Sequence, residues 1–185
     1  KEEQLGGGYR ISSWVERDAY ANANAIIAVS EGMRADVLDC YPFIDPAKVH
    51  VVYNGINTEV YHHEPATNAL TEHGVDPEKP YVLFVGRITR QKGISHLLRS
   101  ARMFDENIPI VLCAASPDTP ELGAEVAAAV EELKRTRQNV HWIDAQLSRD
   151  DVVQFLSHAL LFACPSIYEP LGIVNLEAMG CEAPV

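Results

Sequence analysis

Short continuous apolar runs alternate along this chain with stretches whose apolar residues recur three and four apart. A short apolar run bounded by turn residues reads as a buried strand, and the three-and-four spacing reads as an amphipathic helix. In "SSWVERDAYANANA", Val15, Ala19 and Ala23 stand four apart and predict one helix face. "IIAVS" then predicts a buried strand. Ser30 stands where it would cap a helix over "EGMRADVLDCY", with Met33, Val37 and Tyr41 on its inner face. "VHVVY" is the next strand and "NGIN" a turn. Residues 58 to 80 are polar, carry Pro65, Gly74, Pro77 and Pro80, and hold no sustained period, so they predict a linker.

The remaining chain is more regular. "YVLFV" predicts a strand, followed by the loop "GRITRQKG". Ile94, Leu97, Leu98, Ala101 and Phe104 then recur at helical spacing, and "IPIVLCA" is the next strand. Leu122, Val126, Ala129, Val130 and Leu133 mark a further helix, and "VHWI" a further strand. Ser148 with Asp151 resembles a capping box ahead of Val152, Val153, Leu156 and Ala159. "LLFAC" is the last strand before "SIYEPLGIVNLEAMGC". Apolar strands joined by crossover helices predict an α/β fold: a Rossmann-like parallel sheet with helices on both faces. The expected organisation is 1–57 as one domain's terminal part, 58–78 as an interdomain linker, and 79–185 as a ligand-binding domain. Such sheets bind ligands at the carboxyl ends of their strands, where both "GRITRQKG" and "SIYEPLG" fall.

Composition narrows the function. Of the 185 residues, 47% are hydrophobic, enough for a true core. The formal net charge of -11 opposes nucleic acid or a membrane surface as general partner, since both need clustered cations. No apolar run reaches membrane-spanning length. Cys40, Cys113, Cys164 and Cys181 form no metal-type spacing and read as reduced thiols of a cytoplasmic protein. The seven histidines are scattered, and His62–His63 lacks an acidic partner pattern, so no metal site or resident cofactor is expected. The start at Lys1 and the end at "CEAPV" suggest a fragment at both ends. A homo-oligomer is compatible with these features.

Against the acidic background, "GRITRQKG" places Arg87, Arg90 and Lys92 together. Gly86 directly after a strand permits a tight turn or close approach of a ligand. Gly93 opens a helix whose free N–H groups favour an anion. Arg forks onto phosphate oxygens and Lys acts as a point charge, so a diphosphate suits the loop. A solvated basic turn balancing nearby acids is the competing reading. The loop is neither a Walker P-loop nor a dinucleotide Gly-rich fingerprint. In "EPLGIVNLEAM", Pro170 keeps Glu169 out of the helix, while Gly172 and Ile173 stand at a helix start with unpaired N–H groups. Glu177 lies about 7.5 Å along that helix from Gly172. A carboxylate there suits two vicinal ribose hydroxyls, and Glu169 suits the hydroxyls of a sugar. One loop acid plus one helix-surface acid is the plain alternative. A glycosidase acid pair would leave the basic loop unexplained.

"VGRITRQKG" with "SIYEPLGIVNLEAM" downstream resembles the retaining GT-B glycosyltransferases of family four. Within them it resembles the bacterial glycogen-synthase and maltose-1-phosphate-synthase group. Glu169 and Glu177 meet its Glu-x7-Glu pattern, and "QLGGGYRISSW", "IIAVSEGMRADVL" and "VHVVYNGIN" extend the likeness over nearly the whole chain. In the other large glycogen and starch synthase family the second acid is usually a tyrosine, so Glu177 favours family four. The resemblance implies the carboxyl-terminal GT-B domain, incomplete, plus the last part of the amino-terminal domain. It implies a donor site for ADP-glucose or UDP-glucose, with glucose passing to an α-1,4-glucan or to glucose-1-phosphate. Arg87 and Lys92 would bind the diphosphate in place of a metal ion. Glu169 would contact the donor glucose, and Gly86 would be one of the donor-binding positions. Backbone N–H groups of Leu171, Gly172 and Ile173 would meet the glucose and distal phosphate, and Glu177 the ribose. Ala115 to Pro117 and Trp142 to Ile143 would line the base.

The group's catalytic-site histidine has no match here, so the fragment alone is expected to lack transfer activity. Two alternatives stand beside this reading: a family-four enzyme with another donor or acceptor, of mannosyl or sucrose-phosphate type, and a non-catalytic nucleotide-binding module on the same fold.

Overall fold

A computed structural model of the chain describes residues 8–185. The start of "QLGGGYRISSW", residues 4–7, lies outside them. The chain divides into two units, Lys1–Asn54 and Gly55–Val185.

In the first unit, helix α1 (Tyr9–Asn22) is followed by strand β1 (Ile26–Ala28), helix α2 (Glu31–Cys40) and strand β2 (Val49–Val51). The two strands pair in parallel, with Ile26 opposite Val49. Ser30 caps α2 as its spacing predicts, accepting from the Met33 N–H at 3.0 Å. Ile26, Ala28, Val37, Ile44 and Val49 form the core, with Met33 and Tyr41 packed against it. The face of α1 differs from the expectation. Val15 is exposed and Ala19 with it, whereas Tyr20 and Ala23 pack on the core. Tyr20 reaches further than an alanine and meets Tyr41 edge-on at 5.0 Å, so the aromatic pair orients the helix.

The second unit opens with a segment that is not a bare linker. Helix α3 (Asn68–Glu72) buries Ala69 and Leu70 completely. Val75 follows into the same core. Then come β3 (Val82–Arg87), α4 (Ile94–Ser100), β4 (Ile110–Ala115), α5 (Pro120–Thr136), β5 (Val140–Ile143), α6 (Arg149–Ser157), β6 (Leu161–Phe162) and α7 (Ile173–Gly180). All described pairings are parallel, and the strand order is β5-β4-β3-β6. Side chains alternate across the sheet. Leu83, Val111, Cys113, Ile143 and Phe162 pack with α3, α6 and α7. Phe84, Ile110, Leu112, Ala114 and Val140 pack with α4 and α5 on the other face. Ser148 and Asp151 cap α6 reciprocally, as a capping box.

This order has one functional consequence. The chain steps from β3 to β4 to β5 in one direction, then returns to place β6 on the far side of β3. The connections after β3 and after β6 therefore lie on opposite faces, and a crevice opens between them at the carboxyl edge.

Candidate nucleotide-sugar site

The loops flanking that crevice are tied to one another. Ile167 N–H donates to the Gln91 carbonyl at 2.8 Å, and the Gln91 side chain donates to the Tyr168 carbonyl at 2.9 Å. Gly93 adopts φ +67°, and a Cβ there would lie 2.0 Å from the Pro165 carbonyl oxygen. Glycine is thus required twice, for the left-handed backbone and for the approach of the other loop. Thr89 Oγ1 accepts from the Lys92 N–H at 3.1 Å and closes the turn before it.

Lys92 and Glu169 meet in the crevice. Lys92 Nζ stands 2.7 Å from Glu169 Oε2, with side chains 29% and 21% exposed. The Ser166 hydroxyl donates to the same oxygen at 3.1 Å. Phe84, Pro165, Gly172 and Asn175 also line the crevice. Gly172 precedes α7 with φ +75°. A Cβ there would crowd the Asn175 amide at 2.6 Å. Asn175 Oδ1 is buried in the same crevice without a hydrogen-bond partner. A buried unpaired acceptor is costly in a finished core and suits a site that receives a donor from outside.

Arg87 stands at the end of β3, exposed, with its guanidinium 3.4 Å from Asp118. At that exposure the pair is weak and leaves the guanidinium available. Arg90 is likewise exposed, 3.7 Å from Glu125. Gly86 does not make the expected turn. β3 runs through it in register with Ala114, and Arg87 pairs opposite Ala115. The turn reading of Gly86 is thus replaced by a strand position next to the crevice.

Of the other expected residues, Gly86, Arg87, Leu171 and Ile173 do not line the crevice, and neither do Trp142, Ile143 and Glu177. The Trp142 indole N–H is committed to the Ala114 carbonyl at 2.8 Å. The Ile143 side chain is buried in the core. Among the base-side residues, Ser116 holds a positive φ of 54°. Asp118 N–H donates to the Ile88 carbonyl at 3.0 Å, which fastens that loop to the one after β3. Glu177 does not line the crevice with Glu169. It is half-buried on α7 and faces Tyr61. Burial, then the neighbouring Glu177 carboxylate, raises the Tyr61 phenol above its ordinary value, while Arg149 opposes the shift.

Sequence reasoning missed Ser166, Asn175, Gln91 and Tyr61. Ser166 and Asn175 each lie within three or six residues of Glu169, so proximity to the acid was an available signal. Gln91 and Tyr61 carried none.

A parallel, doubly wound sheet with cations and a carboxylate at its switch point is an α/β ligand-binding arrangement, and the solved structures that share it are GT-B glycosyltransferases. Known proteins agree. The family model described as glycosyl transferases group 1 matches residues 67–185, and that described as glycosyltransferase family 4 matches residues 2–60. The chain belongs to the group 1 glycosyl transferases. It is 53% identical over 188 residues to alpha-maltose-1-phosphate synthase of Mycolicibacterium smegmatis, covering 100% of this chain and 49% of that protein. The chain thus spans about half the length of the curated relatives it matches. Among solved structures it resembles sucrose-phosphate synthase from Thermosynechococcus elongatus, with a TM-score of 0.75, 26% identity, and coverage of 93% and 42% of the two chains. It also shares its fold with Anabaena HepE in complex with UDP-glucose, with a TM-score of 0.76, 21% identity, and coverage of 90% and 45%. Among the described residues no helix is long and apolar enough to cross a membrane.

Proposed function

We propose that this chain is the donor-binding portion of a retaining glucosyltransferase. The intact protein would move glucose from ADP-glucose or UDP-glucose to glucose-1-phosphate or an α-1,4-glucan. The observation that carries the reading is the Lys92–Glu169 pair at the switch point. A fixed ammonium suits the distal phosphate and a carboxylate suits a sugar hydroxyl, so the pair matches the two halves of a sugar phosphate. The similarity to alpha-maltose-1-phosphate synthase supports glucose as the transferred group and glucose-1-phosphate as an acceptor.

In this reading Lys92 exchanges its carboxylate partner for the donor phosphate, and Glu169 turns to the glucose. Arg87, held only loosely by Asp118, joins Lys92 on the diphosphate. As the bond from the anomeric carbon to the phosphate oxygen breaks, negative charge grows on the leaving diphosphate. Lys92, already fixed in the crevice, and the recruited Arg87 stabilise it there without a metal ion. In the same reading the N–H groups of Leu171, Gly172 and Ile173 meet the glucose and distal phosphate, Glu177 holds the ribose, and the stretch at Trp142 and Ile143 contributes to the base side through its backbone.

The test is turnover of ADP-glucose and UDP-glucose by the full-length protein that carries this chain, with product analysis. Lys92→Ala and Arg87→Ala are each expected to reduce turnover about 10²-fold. Unchanged turnover in both would leave a nucleotide-binding module without the proposed chemistry. The likeness to sucrose-phosphate synthase favours a second acceptor class, and a sugar-phosphate product other than maltose-1-phosphate would select it.

A further inference from the structure

The proposed exchange of partners leaves a physical question at Glu169. In the free chain its carboxylate is placed by Lys92 at 2.7 Å and by the Ser166 hydroxyl at 3.1 Å. Once Lys92 turns to the donor phosphate, the ion pair no longer orients the acid. The direction of the side chain then depends on the backbone that carries it. A misplacement of about 1 Å costs about 10²-fold in rate, so that backbone must be held.

The structure holds it from both sides. The Gln91 side-chain amide donates to the Tyr168 carbonyl at 2.9 Å. That carbonyl belongs to the planar peptide unit that ends at the Glu169 nitrogen, so a hydrogen bond to it sets the plane from which Glu169 departs. On the other side, Pro170 restricts Glu169 to extended backbone. Gln91 is itself anchored. Its carbonyl accepts from the Ile167 N–H at 2.8 Å. The next residue, Lys92, donates its N–H to Thr89 Oγ1 at 3.1 Å, and the Gly93 N–H donates to the Arg90 carbonyl at 3.2 Å. Two hydrogen bonds of opposite direction thus join Gln91 to Ile167 and Tyr168, one residue before Lys92 in one loop and ending one residue before Glu169 in the other. None of these contacts uses the Lys92 ammonium or the Glu169 carboxylate, so the exchange of partners does not break them.

We infer that Gln91 is a positioning residue for Glu169. Its amide fixes the Tyr168–Glu169 peptide, so that the carboxylate stays in the crevice when Lys92 leaves it for the phosphate. The inference rests on the proposed sugar role of Glu169. It assigns a task to the one uncharged polar side chain between Arg90 and Lys92, and it requires a donor there, because only the amide NH₂ of glutamine can give a hydrogen bond to a carbonyl.

The experiment compares wild type, Gln91→Met, Glu169→Gln and the double variant in the full-length protein. It measures kcat with the better of ADP-glucose and UDP-glucose at saturation, and calorimetric binding of the matching nucleoside diphosphate. Gln91→Met keeps the length of the side chain and removes its donor. It is expected to lower kcat about three- to tenfold, the loss of one neutral hydrogen bond, and to leave the Kd of the nucleoside diphosphate within about twofold of wild type. In the Glu169→Gln background the same change should alter kcat less than about twofold, because the group it positions is already disabled. Gln91→Glu, which turns an acceptor towards the Tyr168 carbonyl, should lower kcat at least as far as Gln91→Met. Unchanged kcat in both Gln91 variants overturns the inference. A parallel loss of nucleoside-diphosphate affinity also overturns it, because the amide then serves the loop of Lys92 as a whole. A full additional loss in the Glu169→Gln background overturns it as well, since Gln91 then does not act through Glu169. If Glu169→Gln lowers turnover while Gln91→Met does not, only the positioning role falls. If Glu169→Gln leaves turnover unchanged, or if wild type turns over neither donor, the proposed donor site falls and the inference with it.

Discussion

Gly93→Ala tests how the two loops of the site are joined, independently of any ligand. Gly93 has φ +67°, where an alanine costs about 1–2 kcal/mol. The new Cβ would start 2.0 Å from the Pro165 carbonyl oxygen, against a floor of 3.0 Å for real Cβ contacts. Pro165 must therefore retreat by about 1 Å, with an overpacking cost of about 1–3 kcal/mol. We expect a loss of about 3 kcal/mol in all. Urea unfolding followed by the fluorescence of Trp142, which lies in the same unit, measures it. Pro165 lines the crevice with Lys92 and Glu169, so its displacement also spoils the site. A shift of about 1 Å corresponds to about a 10²-fold loss of turnover in the full-length protein. His96→Ala, an exposed change on the same helix, is the control. If Gly93→Ala matches that control within about 0.5 kcal/mol, the loop contact does not hold the crevice together.

Two further outcomes follow from particular contacts. Glu169→Gln removes the 2.7 Å partner of Lys92, so free nucleoside diphosphate should bind at least as tightly as to wild type while glucose transfer falls at least about tenfold. A loss of nucleotide affinity equal to that of Lys92→Ala would show that the two residues do not divide the donor as proposed. Burial pushes the Cys113 thiol up from an ordinary 9.0 to about 12. Above pH 9.0 the unfolded chain has lost a proton that the folded chain keeps, so stability present at neutral pH is lost as pH rises towards 12. Urea stability measured at about pH 8 and about pH 10.5 should fall by up to about 2 kcal/mol less in Cys113→Ala than in wild type. Equal losses would mean that Cys113 ionises as freely folded as unfolded.

The strands of the second unit were readable because each is a continuous apolar run, and a run of that kind is stable only with both faces covered. The caps at Ser30 and Ser148 were readable because a cap depends on three or four neighbouring residues. Helix α3 was not. It has five residues, too few for a period to register, and it forms because Ala69 N–H finds Gln154 Oε1 at 2.9 Å and Leu70 finds the core. Gly86 and Arg87 joined β3 for a similar reason, since their backbone is held by Ala114 and Ala115 of another strand.

The same division runs through the site. By itself the sequence determined which chemistry was available: three cations between two glycines after one apolar run, and two glutamates around a glycine after another. These are local facts of residue type and spacing. It did not determine that Lys92 and Glu169, 77 positions apart, would lie 2.7 Å from each other. Strand order decided that, by placing β6 beside β3. Nor did it determine that Glu177 would stand outside the crevice of Glu169 and near Tyr61, more than a hundred residues earlier in the chain. A helix fixes the direction of a side chain relative to its own axis, but only the packing of α7 against the segment from Ile56 to Tyr61 decides what that side chain meets.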